Sequence, residues 1–517
     1  MSKLYDVVIA GAGPIGLFLA CELGLAHASV LVLERDCRPE SPWKADPLGF
    51  RGMNSPSLEN FYWRGLLSKL FVPGERPSSY QKTPGFQFGG HFAGIPLDAN
   101  KLDMDRWKYR LPGPTLVPGP TTIDRVEAVL TERAEKLGVT ILRGNAVTKI
   151  VAHGDDSVTV EAGENQSFCG KRLVGCDGGR SVVRRSAGFD FVGTEPKFTG
   201  YVAQCDWDYP DKLRPDFHIT NAGLYIIRKP DTLYMTDFDG GAFDRAQDIG
   251  KEHVQSVFRR ISGITDVKIT KIHLVSTFTD RCKQTTSYRK GRVLLAGDAA
   301  HIHGPLGGQG MNLGLGDAMN LGWKLAATVR RESGSDGPLS DLALLDTYES
   351  ERHPAGAWVL QWTRAQVVVL QPDPYGAAVQ ALIRDLIDTT DGTNLFIGRF
   401  SGLSQRYALG EGEAYAHPLV GCSTPDFELY DGSRLGSKLE HGRGLLVDFE
   451  DDAAFKQLVA EGKYKARVEY IGLGARDTRG LRALLVRPDG VVAWAVDDHM
   501  KPDVDAAKAA LEQWFGF

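Results

Sequence analysis

The stretch VVIAGAGPIGLFLACELGLA, residues 7–26, decides how the rest of the chain is read. It is apolar enough to imitate a signal sequence or a membrane span. It also holds Gly11, Gly13, Pro14, Gly16 and the acidic Glu22, and it lacks a basic n-region and a cleavage site. It therefore reads as a buried strand (YDVVIAG), a tight turn (AGPIG) and a helix (LFLACELGLA), with a second strand following in ASVLVLERD. This is a βαβ unit carrying a GxGxxG, Gly11-Ala12-Gly13-Pro14-Ile15-Gly16, where strand gives way to helix. Glycines there allow a tight turn and close approach of a pyrophosphate, and the free N–H groups of the helix start attract its charge. A GxGxxG is weak evidence by itself, but here Glu34 ends the next strand, 18 residues after Gly16, where a carboxylate can accept from a ribose 2′-hydroxyl. A carboxylate disfavours a 2′-phosphate, which points to FAD or NAD rather than NADP, although the neighbouring Arg35 softens that preference.

Composition bounds the rest. A chain of 517 residues, 42% hydrophobic and 24% charged, suits two to four globular domains. A net charge of −5 with dispersed Lys and Arg points to no nucleic acid and no anionic membrane surface. Seven cysteines stand singly with no CxxC, which suits a reducing, cytoplasmic setting, and no other stretch is a good candidate for membrane insertion.

Residues 37–120 are rich in Pro, Gly and aromatics with little periodicity. A helix is expected over 124–138 (DRVEAVLTERAEKLG), then a strand (VTILRG), then a hairpin whose turn is the GDD of AVTKIVAHGDDSVTVEAGE. Strands continue through GLYIIRKP, TLYMTDFDG and KITKIHLVSTFTD, giving a β-rich middle. RVLLAGD (292–298) leads through a glycine-rich turn into a long helix, and a second helix follows. Residues 409–416 read as a linker, and the alternating strands and helices beyond it as a small α/β domain.

Two further motifs carry chemistry. VGCDGGRSVVRRSAGF (174–189) joins a strand end to an Asp177-Gly178-Gly179 turn and a short helix, with Arg180, Arg184 and Arg185 reading as a solvated face. In RVLLAGDAAHIHGPLGGQGMN, Asp298 closes a strand where a polyol hydroxyl can be bound, and Pro305 to Asn312 form a glycine-lined entry to the next helix. His301 and His303 suggest a metal, but no further ligands stand near them in sequence, so no metal is expected and packing beside the loop is favoured. Either histidine can still touch substrate or nicotinamide. A bulky residue at Gly308 is expected to cost more bound FAD or turnover than a change at His301.

In order, the three motifs resemble those of the single-component flavin-dependent aromatic hydroxylases of the para-hydroxybenzoate hydroxylase fold, through residue 400. GCSTPDFELYDGSRL (421–435) and LLVRPDGVVAWA (484–495) are similar to the thioredoxin-like C-terminal domain of the hydroxylases of polycyclic polyketides and rifampicin, here without a redox CxxC. The resemblance implies an α/β fold: a Rossmann-like FAD-binding domain (1–73, 115–190 and 285–400), an interleaved β-rich substrate domain (74–114 and 191–284) and a thioredoxin-like domain (410–517). It implies that Gly11, Gly13, Pro14, Ile15, Gly16, Glu34 and Arg35 hold the ADP half of FAD, and that Asp177 and Gly178 lie near the pyrophosphate and the NAD(P)H path. Asp298 would bind the ribityl chain. Pro305, Gly308, Gln309, Gly310, Met311 and Asn312 would lie along the isoalloxazine, where a helix N-terminus stabilises the negative charge of reduced flavin. Two departures are Thr121-Thr122-Ile123, where the family often has Gln, and Pro56, often Arg there; Arg51 in Arg51-Gly52-Met53-Asn54 remains a flavin contact.

The implied reaction uses NAD(P)H and O2 to hydroxylate a phenolic or polycyclic aromatic substrate through a flavin C4a-hydroperoxide. His218, Tyr225 and Tyr234, on or beside the middle strands, are the catalytic candidates, and the base is unassigned. Baeyer–Villiger oxygenation and a non-enzymatic FAD-fold binding protein are the alternatives. Oligomeric state is open, a homo-oligomer included.

Overall fold

The computed structural model describes all residues except 1–2, 73, 155, 229–230, 245–246, 333–341, 410–416, 461–462 and 517. Strand Leu4–Ala10 is central to a mostly parallel sheet, flanked by Val30–Leu33 and Gln166–Gly175, with Thr140–Leu142 and Val293–Leu295 outside them. Val7 to Ala10 and Val30 to Leu33 are buried without alternation, as in a sheet covered on both faces. Helix Pro14–Leu25 packs between this sheet and the long helix Gln309–Glu332, and Gly16 to Gly24 are all buried. Burial on every side explains why residues 7–26 look membrane-like. Among the described residues no helix is long and apolar enough to cross a membrane.

The middle of the chain forms a five-stranded antiparallel sheet ordered Asp216–Thr220, Gly223–Arg228, Thr232–Asp237, Thr199–Trp207, Ile269–Thr279. One face is covered by helix Lys251–Ser262, whose Val254, Val257 and Phe258 pack on Tyr201, Tyr225 and Met235. Leu224, Ile226 and Phe278 on the other face meet Phe92, Leu306, Trp362 and Phe396. That second face borders the glycine-rich loop.

Three helices were not legible as periodic patterns: Ser55–Tyr62, Pro374–Asp388 and Thr390–Phe400. The first two begin with an Asx side chain capping the helix and a Pro within its first turn: Asn54 accepts from Ser57 N, and Asp373 from Gly376 N. Those caps were the available signal, masked by the Pro-rich surroundings.

The C-terminal sheet is ordered Val468–Gly472, Gly444–Asp448, Leu481–Val486, Val492–Asp497, the first pair parallel and the others antiparallel. With helices Ala453–Ala460 and Val504–Phe515 this is a thioredoxin-like arrangement in which a loop connects Gly472 to Leu481. The expected linker lies outside the described residues except for Leu409. Buried charges fasten this domain to the rest. Arg487, 0% exposed, donates to both oxygens of Glu351 at 2.9 and 2.8 Å, and Lys324 Nζ lies 2.9 Å from Glu351. Arg64 donates to both oxygens of Glu22 at 2.7 Å and to the carbonyls of Leu439 and Pro488 at 2.8 Å.

Burial would raise the Glu351 carboxyl, but Arg487 and Lys324 overcome it and hold it at about 2. A folded pKa below the ordinary value contributes stability in full above the unfolded pKa near 4.5, lost as pH falls toward 2. Trp323 and Trp514, 6.4 Å apart at this junction, report on it. Their fluorescence transition is expected to shift to lower temperature as pH drops through that window, and Glu351→Gln is expected to flatten the dependence. An unchanged pH dependence in the variant would show that the docking does not rest on this ion pair.

Candidate functional site

At the first glycine turn, a Cβ on Gly16 would stand 2.0 Å from Gly11 O, and one on Gly11, at φ +105°, 2.4 Å from Cys176 O. These two glycines pack strand, turn and helix together. A Cβ on Gly13 would meet nothing within 4 Å, so bare space opens at the start of the helix, with Pro14 in its first turn. Ile15 packs toward Gly297 and Gly314, joining this turn to the third motif. Glu34 braces the loop, accepting from Ala12 N at 2.6 Å and Asp36 N at 2.8 Å. Arg35 turns outward, its side chain 79% exposed and paired with Asp36, and is not drawn into the turn.

At the second motif, Asp177 Oδ2 accepts from Val182 N and Val183 N at 2.6 and 3.1 Å, while the buried Oδ1 has no partner among the described residues. Gly178, at φ +75°, faces open space. Arg184 corrects the expectation of a solvated basic face. It is 6% exposed, donates to Ala299 O at 3.0 Å and Gly179 O at 2.8 Å, and lies 3.8 Å from the centre of the Phe191 ring. It thereby ties the Asp177 turn to the Asp298 turn.

Asp298 is exposed, and its carboxylate takes no hydrogen bond from the described residues. Arg51 donates to Leu48 O and Phe50 O at 3.0 and 2.7 Å; burial lowers its pKa, while Tyr234 and Asp298 oppose that and Arg228 adds to it. Arg51, Arg228, Tyr234 and Asp298 thus share one space. Gly307 and Gly308, at φ +76° and +62°, turn the chain into helix Gln309–Glu332. The side chains of Gln309 and Asn312 hold scaffold: Gln309 donates to Gly307 O at 2.9 Å, and Asn312 to Gly52 O at 2.9 Å and Gly308 O at 3.0 Å while accepting from Asn54 N. The first backbone N–H groups of the helix have no intrahelical acceptor, which makes its start attractive to negative charge. Pro305 is exposed at the loop's edge, Gly310 abuts His303, and Met311 packs on the core.

The two histidines separate in role. His301 is 0% exposed; its Nε2 is 2.7 Å from Asp317 Oδ2, which also accepts from Gly297 N at 3.0 Å. Arg352 Nε donates to Asp317 Oδ1 at 2.8 Å and Arg352 Nη1 to Tyr407 OH at 2.7 Å. Burial opposes the Asp317 carboxylate, but Arg352 and His301 keep its pKa below the ordinary range. His301 is therefore a core residue under the Asp298 turn. His303 is half-buried, its Nδ1–H donating to Gly304 O at 2.7 Å, and burial lowers its pKa. Among the described residues no group of three or more His, Cys, Asp or Glu could hold a metal.

The catalytic candidates need correction. Tyr225 pairs with Met235 and Tyr234 with Ile226, so side-chain alternation sends Tyr225 and Tyr234 to opposite faces of the sheet. Tyr225 packs against Phe258, and His218 stacks on Tyr225 at 4.5 Å, both under helix Lys251–Ser262 and away from the glycine loop. Tyr234 alone faces the site, hydrogen-bonded to Arg228; burial raises its hydroxyl pKa against the pull of Arg228 and Arg51.

His91 was missed. It lies on the strand Phe88–Phe92, its ring 4.4 Å from Phe217 and 6.5 Å from Phe400. Its Nδ1 accepts from Gly94 N at 3.2 Å, which places the proton on Nε2, and burial pushes its pKa down to about 4. The hairpin is clipped to the flavin-type loop: Ala93 N donates to Gln366 Oε1 at 3.0 Å, and Gln366 Nε2 to Leu306 O at 3.4 Å. Only the glycine-rich FGGHFAG hinted at this hairpin, and nothing in the sequence joins it to residue 306.

The residues fit FAD: bare space at Gly13, Gly178 and Gly308, an orphaned oxygen on Asp177 and a free carboxylate at Asp298 line one path from the first turn to the third. Such turns beside an aromatic sheet face are the arrangement of a FAD-dependent oxidoreductase. Residues 4–363 match the FAD binding domain family and residues 417–517 the aromatic-ring hydroxylase C-terminal family. A monooxygenase of Claviceps purpurea is 51% identical over 99% of this chain and 98% of its own. The 12-dehydrotetracycline 5-monooxygenase/anhydrotetracycline 6-monooxygenase of Streptomyces rimosus is 38% identical over 99% of both. The solved structure of the OxyS anhydrotetracycline hydroxylase from Streptomyces rimosus superposes with a TM-score of 0.82 at 34% identity, covering 100% of both chains. The chain belongs to the FAD-dependent aromatic-ring hydroxylases, enzymes that insert oxygen into aromatic substrates at the expense of NAD(P)H.

Proposed function

We propose that this hydroxylase acts on a phenolic ring of a polycyclic, polyketide-like compound in the cytoplasm, with O2 as the second substrate. The observation that carries this reading is the aromatic face beside the Leu306–Gly307 turn, where Phe217, Ile226 and Phe278 of the sheet pack with Phe92, Trp362 and Phe396, and Phe400 approaches Gly307. The named substrates of the Streptomyces rimosus relatives support a polycyclic ligand. When bound, FAD would supply the redox chemistry between NAD(P)H, O2 and the ring, with one oxygen atom entering the ring and the other leaving as water.

The chain's own contribution is binding, orientation and exclusion of water. Gly13 and Glu34 take the ADP half, Asp298 the ribityl hydroxyls, and the N–H groups after Gly308 the pyrimidine edge. The apolar walls keep water from the reacting ring. Tyr234, held by Arg228, and His91, a neutral donor at Nε2, are placed to hold phenolic oxygens. Because the pKa of His91 is lowered to about 4, it stays neutral above pH 5 and acts as a hydrogen-bond donor rather than a base near neutrality.

The reading is tested by adding mono- and polycyclic phenols, anhydrotetracycline among them, to the purified yellow protein with NADPH. Faster NADPH oxidation and a product heavier by one oxygen atom are expected. If no phenol accelerates oxidation or gains oxygen, the reading fails. With an active phenol, His91→Ala and Tyr234→Phe are each expected to lower kcat/KM by roughly 5- to 100-fold, as for loss of one buried hydrogen bond. Tyr225→Phe, on the other face, should leave the KM unchanged.

A further inference from the structure

A cavity of about 630 Å³ lies between helices Ser55–Tyr62, Gln309–Glu332, Ala343–Leu370 and Thr390–Phe400 and the C-terminal domain. It is distinct from the FAD path. Asn312 and Gly316 of the long helix line it, whereas Gly314, half a turn round the same helix, packs on Ile15 and Gly297 at the FAD side. Its volume falls in the range of small-molecule sites.

The lining is built for a particular chemistry. Trp63 and Trp358 supply flat apolar wall. Ser57, 1% exposed, has a hydroxyl with no hydrogen-bond partner, and Asn60, 6% exposed, has no side-chain partner among the described residues. Buried polar groups are satisfied in the great majority of cases, so the orphaned Ser57 hydroxyl on the cavity wall points to a ligand that satisfies it, with the Asn60 amide beside it open to the same occupant. The acids of the lining are already matched. Glu59 takes Arg110 at 2.8 Å and Ser423 at 2.6 Å, and Glu351 and Asp489 share Arg487. Arg399 and Arg406, exposed at the mouth, have no acidic partner among the described residues. Surplus positive charge is therefore at the rim, apolar surface in the walls and hydrogen-bonding groups within.

We infer that this cavity is a second small-molecule site, separate from the three cofactor turns, that takes a planar aromatic anion with its rings beside Trp63 and Trp358 and its acid on Arg399 and Arg406. The inference does not depend on the hydroxylase reading. The site backs onto the first turn of the helix whose Asn312 holds Gly52 and Gly308, so an occupant presses on the flavin-type loop from behind.

Calorimetric titration of the FAD-loaded protein with 8-anilino-1-naphthalenesulfonate tests it. One saturable site per chain is expected, weakened about tenfold or more in the Arg399→Glu/Arg406→Glu double variant, in line with the strength of charge-assisted contacts. Binding is expected to be abolished by Ala355→Trp, which places an indole in the cavity, and FAD content should be the same in all three proteins. Absence of saturable binding would overturn the inference. So would affinity unchanged in both variants, which would place the probe elsewhere on the protein. Equal affinity for uncharged N-phenyl-1-naphthylamine would overturn the assignment to an anion.

Discussion

Gly13→Val protein is expected to fold as stably as the wild type and yet purify nearly colourless, its affinity for FAD lowered about hundredfold or more, equivalent to ~2.7 kcal/mol. Gly13 has φ −74° and ψ 179°, an extended conformation open to any residue, and a Cβ there meets no protein atom within 4 Å. The substitution therefore costs the apoprotein little. What it fills is the space that a pyrophosphate needs to reach the N–H groups at the helix start. Gly11→Val is the contrasting control. Its Cβ would lie 2.4 Å from Cys176 O at φ +105°, and the strands that end one residue before each, at Ala10 and Gly175, are paired in the central sheet, so neither can move aside. That variant should lose the fold and the cofactor together. Flavin absorbance per chain and the melting temperature of the apoprotein separate the two. Full yellow colour in Gly13→Val would remove the pyrophosphate from this turn.

Arg352→Met is expected to cost about 3–5 kcal/mol of stability, because it strips the guanidinium from a fully buried carboxylate. Asp317 is 0% exposed and holds Gly297 N and His301, so the unmatched charge lies directly beneath the Asp298 turn. A fall in melting temperature, measured with and without added FAD, checks this. A melting temperature within a degree or so of the wild type would mean that the cluster contributes nothing net. The same cluster bears on the expected ranking of Gly308 and His301. A side chain at Gly308 enters open space but is strained at φ +62°, so it should act on FAD binding and cost about 1–2 kcal/mol of stability, whereas loss of His301 removes a partner of Asp317 and should act on the fold alone. Measuring FAD affinity and melting temperature on both variants distinguishes these effects.

Much of the site was legible because it is made of local backbone. Gly11 to Gly16, Asp177-Gly178 and Pro305 to Asn312 are contiguous turns whose glycines answer to local geometry, and their order along the chain carried the family resemblance. Side chains that act across the fold were not legible. Strand parity settled Tyr225 against Tyr234, since a sequence shows that two residues alternate but not which face meets the core. His91 joins the aromatic face only because Gln366 clips its hairpin to Leu306, a contact spanning 273 residues at Ala93 and 60 at Leu306. Arg184 looked like a surface charge until two carbonyls and Phe191 enclosed it.

By itself, then, the sequence determined the βαβ start, the three cofactor turns and the small α/β domain without a redox cysteine pair, because turn geometry and hydrophobic periodicity are written in neighbouring residues. Tertiary structure alone decided which side chains share the aromatic sheet face, how Asp317 and Arg487 find their partners, and that a cavity opens behind the long helix. Those features rest on contacts between residues remote in the chain, whose meeting depends on the register and packing of whole elements.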